Sequence, residues 1–354
     1  MSTLDFARYH RQIIFAGVQE DGQRRLHEAV VVIVGCGATG SALSKLLARA
    51  GVGQLRIVDR DFIELNNLQR QLLFDEDDIR ANLPKAEAAA RKLRRANSMI
   101  DIEPVVTDVN AGNILSLMAD ATVVLDGTDN FTTRYLLNDA CIHLGKPWVY
   151  SGVIGSHGMT ATFIPDGATD KLPGQRSASG CLRCLLGEMP APGATPTCDT
   201  AGIIGPAVSL ISSIAAAEAM KLIIGRGDLN PGLIYMDVWS HEYEHFGDGV
   251  RNPTCLSCGQ RQFEFLNARV GATSSSLCGR NAVQVAVIGA ARLDLARLEM
   301  NLLPVAGRVV RNDHLLRAQI DGYEFTIFPD NRAIIKGTED EDLAKTLYAR
   351  YIGS

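Results

Sequence analysis

The sequence predicts an α/β protein in which a doubly wound, mostly parallel sheet carries a long inserted loop and is followed by a small α+β domain. Three observations predict it. The run Ala29 to Val34 is continuously apolar and β-branched, as in a strand buried on both faces of a parallel sheet. Gly35-Cys-Gly-Ala-Thr-Gly40 follows, then SALSKLLARA at helical spacing, a turn, and a second strand Gln54 to Asp59, which completes a βαβ unit of about 30 residues. After residue 260 the chain changes character, with short strand-like runs and a closing helical pattern.

The elements follow in order. Pro84 suits the first position of a helix over Lys85 to Ala96. A third apolar strand, Ala121 to Leu125, runs into Asp126-Gly-Thr-Asp-Asn130, and a further strand is expected near Trp148 to Val153. From Pro165 to Thr200, Gly, Pro, Ser, Thr and Ala dominate without periodicity, which predicts a long mobile loop, and Ile203 to Ile224 reads as an apolar helix. Strands at Gln284 to Ile288, Glu324 to Phe328 and Arg332 to Ile335 and a helix at Asp340 to Tyr351 make up the small domain. The expected organisation is therefore a domain over 1–260, a linker region over 261–276 ending in GATSSS, and a domain over 277–354.

Composition narrows the function classes. The 35 Lys+Arg against 40 Asp+Glu in 354 residues leave a net charge of −5, which offers no general positive field for a nucleic acid. Eight cysteines are too dilute for a disulfide scaffold, and MSTLDFARYH lacks the layout of a secretion signal, so a cytoplasmic protein with reduced thiols is expected. The apolar stretch Ala201 to Ala217, broken by Gly202, Gly205 and Pro206, reads as too short and interrupted to span a bilayer.

A glycine loop between strand and helix, here Gly35, Gly37, Ala38 and Gly40, lets backbone approach phosphates at a helix N-terminus. Asp59, 24 residues after Gly35, can accept hydrogen bonds from ribose hydroxyls. This much suits NAD, FAD or ATP alike. Asn66, Asn67, Arg70, Gln71 and Lys85, set beyond the carboxyl edge of the sheet, favour a triphosphate, because Mg²⁺-bound ATP still carries about two negative charges that Arg or Lys must meet. Asp129 is the candidate Mg²⁺ ligand, with a helix N-cap before FTTRYLLND as the alternative reading. Asp61 and Asn130 complete the set of nucleotide-binding candidates.

Cys181-x-x-Cys184 and Cys255-x-x-Cys258 offer four thiolates for a tetrahedral zinc, with redox-active pairs as the alternative. Seventy residues separate the pairs. Closing that loop costs about 4 kcal/mol, against roughly 10 to 16 kcal/mol from structural zinc binding, so the metal wins. Cys198 lies before the apolar helix, where a helix N-terminus lowers a thiol pKa and the adjacent Asp199 raises it. Cys36, Cys141 and Cys278 read as structural.

Arg8-Tyr-His-Arg11-Gln-Ile, Gly35-x-Gly-x-x-Gly40, Asn67-Leu-Gln-Arg70-Gln, Pro84-Lys85, Asp126-Gly-Thr-Asp129-Asn and Gly180-Cys-x-x-Cys184-Leu occur in the order in which they stand in the ThiF/MoeB/HesA family of ubiquitin-activating-enzyme-like adenylyltransferases, which the chain resembles over about residues 5 to 259. The resemblance implies a Rossmann-like nucleotide fold with a structural zinc. It also implies ATP-dependent adenylylation of the C-terminal glycine carboxylate of a ubiquitin-like sulfur carrier ending in Gly-Gly. Arg11 would then act as an arginine finger on the partner subunit's ATP, which requires a homodimer, while Arg70 and Lys85 hold phosphates within the subunit. Asp59 would take the ribose, Asn67 the phosphate or metal region and Asp129 the Mg²⁺; without the resemblance, Arg8 and Arg11 read as a solvated helix face. Cys198 corresponds to the thioester cysteine of the ubiquitin-activating enzymes, a covalent role that some bacterial members do without. Ala38 stands where the family usually has glycine, tolerable if its φ stays negative. The carrier is expected to be ThiS-like, for thiamine thiazole synthesis, with a MoaD-like carrier of molybdopterin synthesis as the alternative and a sulfur donor such as a cysteine desulfurase as a further partner. A tRNA-modifying cyclase of the same family and a nicotinamide-dependent oxidoreductase are weaker readings.

Overall fold

The computed structural model describes residues 6–352, apart from 169–177, 191–200, 227, 231, 248, 268–271, 278–280 and 288–291. After a 3₁₀ turn, Phe6–Tyr9, the first unit runs α1 (His10–Ile14), α2 (Gln19–Glu28), β1 (Val30–Val34), α3 (Ala38–Ala50), β2 (Gln54–Val58), α4 (Glu76–Arg80), α5 (Lys85–Ala96) and β3 (Asp101–Val105). It continues with α6 (Ile114–Met118), β4 (Val123–Asp126), α7 (Phe131–Leu144), β5 (Trp148–Ile154), β6 (His157–Phe163), α8 (Leu182–Leu186), α9 (Gly205–Ile224), β7 (Leu233–Asp237) and β8 (Glu242–Phe246).

These strands form one sheet in the order β3-β2-β1-β4-β5-β6-β7-β8. The first five are parallel and the last three antiparallel. Alternate residues of β1 explain why its sequence is apolar throughout. Val31 and Ile33 join the core under α3, α5 and α9, while Val32 and Val34 join the core under α6 and α7. Pro104 lies within β3, which sits at the sheet edge, where a missing N–H costs no ladder bond.

The helix expected from Ile203 begins at Gly205, with Pro206 in its first turn, so these residues start the helix rather than interrupt it. Among the described residues it is the one helix long and apolar enough to cross a membrane by length and composition. Here it packs against α3, β5, β6 and α2. Pro84 is the N-cap of α5, one position before the expected place.

The second unit comprises β9 (Ala272–Leu277), β10 (Ala282–Val287), α10 (Leu295–Leu302), β11 (Arg308–Arg311), β12 (Leu316–Ile320), β13 (Tyr323–Ile327), β14 (Arg332–Lys336) and α11 (Glu341–Tyr351). Its antiparallel sheet has the order β11-β12-β13-β14-β10-β9. Leu298 and Leu302 of α10 and Leu347 of α11 pack with Val283, Phe325 and Ile335 of the strands. The chain divides into compact units at Met1–Ala268 and Arg269–Ser354. Residues 272–276, expected as linker, belong instead to β9, paired along its length with β10.

Candidate functional site

The glycine loop is built by backbone packed on backbone. Gly35 has φ +88°, a left-handed conformation that side chains disfavour. A Cβ on Gly40 would lie 1.8 Å from the Gly35 carbonyl oxygen, and one on Gly127 2.4 Å from the same atom. The loop after β1 is thus pressed against the loop after β4, and only glycine fits at these contacts. At Gly37, by contrast, the nearest atom to a built Cβ is Gln71 Nε2 at 3.9 Å, so the backbone is open to a ligand. Ala38 opens α3 and does not adopt a positive φ, which removes the concern its side chain raised. The first turn of α3 has no side-chain cap, leaving its N–H groups for an anion.

Asp59 is buried, and its carboxylate accepts from the Cys36 N–H at 2.5 Å and from the Asp61 N–H at 2.6 Å. Burial pushes this carboxyl above its ordinary range, with Lys85 working the other way. Asp59 therefore fastens the glycine loop, while each oxygen keeps a second lone pair for a ribose hydroxyl. Lys85, also buried, lies 3.2 Å from Asp61 Oδ2, and its N–H donates to the Asp61 carbonyl at 2.9 Å. Phe62 bridges Pro84, so the two segments run side by side.

Asn67 is buried in a short turn, Leu65–Asn67, where its Oδ1 accepts from the Glu64 N–H and its Nδ2 donates to Asn66 Oδ1 at 2.9 Å. Arg70 Nη1 donates to the Asn66 carbonyl at 2.8 Å. Gln71 is buried, and its Oε1 has no hydrogen-bond partner among the described residues. An orphaned acceptor of that kind costs about 1 to 3 kcal/mol, and the same amide presents its Nε2 toward the open side of Gly37, so this side chain is a candidate ligand contact.

Asp129 is exposed, and the cap of α7 is its neighbour: Asn130 Oδ1 accepts from the Thr133 N–H at 2.9 Å. The capping alternative for Asp129 is thereby corrected. Arg60, held between Asp108 at 2.8 Å and Asp61, also feels Asp129; burial acts to lower its pKa, but these carboxylates outweigh that and raise it. One buried group was not singled out by the sequence. Arg134 Nε donates to Asp126 Oδ2 at 3.1 Å and its Nη2 to the Thr128 carbonyl at 2.8 Å, with its guanidinium over Tyr150. The signal in the sequence was a cation in the first turn of a helix whose buried side also carries Asn138 and Asp139. Arg11 is exposed on α1 and makes no hydrogen bond or ion pair among the described residues.

The four cysteines converge. Sγ separations are 3.9 Å for Cys181 and Cys184, 3.7 Å for Cys181 and Cys255, and 3.4 Å for Cys184 and Cys258, and all four lie within 4.8 Å of one another. A metal about 2.3 Å from each sulfur would place neighbouring sulfurs about 3.8 Å apart, so this cluster could hold a metal ion. Cys36 and Cys141 are fully buried, and burial pushes both thiols up, as the structural reading requires. Cys198 and Cys278 lie outside the described residues.

Residues 9–257 match the ThiF family. The chain is 41% identical over 347 residues to the sulfur carrier protein ThiS adenylyltransferase of Bacillus subtilis, covering 98% of this chain and 99% of that protein. It is 33% identical over 255 residues to the adenylyltransferase and sulfurtransferase MOCS3 of Culex quinquefasciatus, covering 72% of this chain but only 55% of that protein. A crystal structure of Escherichia coli MccB with ATP superposes with a TM-score of 0.59 at 25% identity, over 72% of this chain and 75% of that one. A family match spanning most of the first unit and near-complete alignment with a curated member together mean that this chain belongs to the ThiF family.

Proposed function

We propose that the protein is an ATP-dependent adenylyltransferase that activates the C-terminal glycine carboxylate of a ThiS-like sulfur carrier. The observation that carries the reading is the open backbone at Gly37, with the Gln71 amide nearest to it, beside the loop that holds Asp59, Asp61 and Lys85. The choice of carrier rests on alignment with the Bacillus subtilis protein through both units, whereas the MOCS3 match covers 72% of the chain. That second match supports a MoaD-like carrier as the other reading.

In this mechanism the glycine loop and the N–H groups of α3 receive phosphate oxygens, and Asp59 accepts from the ribose. The carrier carboxylate, already ionised near neutral pH, needs no general base. Its oxygen bonds to the α-phosphorus as the bond to pyrophosphate breaks, giving carrier acyl-adenylate. Lys85 and Arg70 meet charge on the phosphates and the leaving pyrophosphate, and Arg11 does so from a neighbouring subunit of a homodimer. Asp129 and Asn67 are the residues that would hold Mg²⁺, which would supply charge neutralisation for the phosphates. Cys181, Cys184, Cys255 and Cys258 would hold Zn²⁺ as a structural ion. The persulfide sulfur of a donor such as a cysteine desulfurase then attacks the acyl carbon as AMP leaves, and a thiol reductant cleaves the resulting acyl disulfide to the carrier thiocarboxylate; Cys198 is the candidate for a covalent bond to the activated carrier, formed with the same loss of AMP. The protein works in the cytoplasm, where its thiols stay reduced.

ATP–pyrophosphate exchange with purified ThiS-like and MoaD-like carriers tests this. Exchange is expected with the ThiS-like carrier, and its absence with every Gly-Gly-tailed carrier sinks the proposal. Arg11→Ala should lower turnover strongly with little change in ATP binding; undiminished turnover would remove the finger role, and a monomer by sedimentation would remove its trans geometry.

A further inference from the structure

One face of α7 joins the two halves of the site. Arg134, Asn138 and Ile142 fall at i, i+4 and i+8, and Tyr135 and Asp139 each follow one of them about 100° further round, so the five occupy the broad buried side of the helix. At its N-terminal end Arg134 grips Asp126 and the Thr128 carbonyl, on either side of the Gly127 that packs against Gly35. Further along, each cysteine pair is caught by one side chain. Asn138 Oδ1 accepts from the N–H of Leu182, between Cys181 and Cys184, at 2.9 Å. Asp139 Oδ1 accepts from the hydroxyl of Ser257, between Cys255 and Cys258, at 2.8 Å, and its Oδ2 accepts from the Phe265 N–H at 3.1 Å. Tyr135 adds a bond from its hydroxyl to the Gly187 carbonyl at the end of α8. Ile142 packs against Cys181, Cys255 and Cys258.

Asn138 and Asp139 are fully buried, in a helix about 21 Å long by its rise per residue. Without a metal, the cysteine pairs, distant in sequence, are joined by no covalent link. A bound metal would fix them to each other, and through these bonds to adjacent residues of one helix. A constraint carried by that helix would reach Arg134 and, through Thr128 and Gly127, the wall of the glycine loop.

We propose that Asn138 and Asp139 are positioning residues through which the four-thiol metal centre sets the nucleotide cradle, so that metal and nucleotide bind with positive coupling. The inference rests on the adenylylation reading for the identity of the nucleotide. Coupling of this kind is reciprocal, and couplings of about 5- to 150-fold are typical.

The test uses the zinc-loaded full chain. Zinc release to 4-(2-pyridylazo)resorcinol is followed in Mg²⁺-saturated buffer with and without α,β-methylene-ATP, and nucleotide binding is measured separately by calorimetry. Nucleotide should slow release at least about 5-fold in the unaltered protein. In the Asn138→Ala, Asp139→Ala double variant that protection should fall below about 2-fold, and in Ser257→Ala it should fall part of the way. The single hydroxyl deletion provides the test if the double variant does not fold. A purely structural role for these residues would alter stability and leave the nucleotide dependence of release untouched. Nucleotide that binds without slowing release, or protection undiminished in the folded variants, overturns the inference alone. Failure of the unaltered protein to bind nucleotide overturns the adenylylation reading and this inference together.

Discussion

At Gly40 a single methyl group separates a working loop from a blocked one. The Gly35 carbonyl, 1.8 Å from where a Cβ would sit, is backbone and cannot rotate away. Gly40→Ala should cost about 2 kcal/mol or more through overpacking, and should abolish binding of an ATP analogue; thermal unfolding and calorimetric titration check both. Gln71 carries the opposite expectation. Gln71→Met keeps the volume and removes the orphaned acceptor, so the free protein should be as stable or more stable while its affinity for nucleotide falls about tenfold, the trade expected where a buried polar atom serves a ligand. Asp129, exposed and not a cap, should tolerate Asn with unchanged unfolding temperature and a raised Mg²⁺ requirement for pyrophosphate exchange. At this scale the sequence located the glycines and Asp59 by spacing. It could not show that Asp59 is spent on the Cys36 and Asp61 N–H groups, because that needs the loop's three-dimensional path.

The helices and strands were most legible where one local rule acted alone. Helix α5 matches its expected bounds because alanine-rich periodicity follows a proline, and β1 was read from an unbroken β-branched run. The strands β3, β6, β7 and β8, and β9, β11 and β12 of the second unit, were not anticipated. Several are polar or interrupted, as at Pro104 in β3 or in the exposed sequence Glu242–Phe246, and pairing with a neighbour decides their state; β7, Leu233–Asp237, is apolar but short. For α7, Asn130→Ala removes the bond to the Thr133 N–H and should cost about 1 kcal/mol in thermal unfolding. Beyond the edge strand, Arg56 ties Glu103 of β3 to Asp120, and its guanidinium holds the Asp120 carboxyl below the ordinary carboxylate range. A lowered folded-state value means that stability from this pair is present above about pH 4, the unfolded range, and is lost as pH falls through the folded value. Asp120→Asn should therefore flatten the acid limb of the stability profile measured by urea unfolding from pH 7 to 3.

For the whole molecule, division into two compact units predicts two calorimetric transitions, with a chelator lowering only the one that belongs to the first unit, since all four clustered thiols lie there. A single transition shifted as a whole by the chelator would show the units to be energetically one. The sequence by itself determined the α/β class, the order strand, glycine loop, helix, strand, the two cysteine pairs and the break between a large and a small unit. Each of these is written in residues close together in the chain, where periodicity and spacing act directly. Only the tertiary structure decided that Gly35, Gly40 and Gly127 meet, that Arg134 is buried against Asp126, and that two consecutive residues of α7 hold the two cysteine pairs. Those contacts join segments up to 118 residues apart, and what brings them together is the packing of a whole sheet between two layers of helices rather than any preference of the segments themselves.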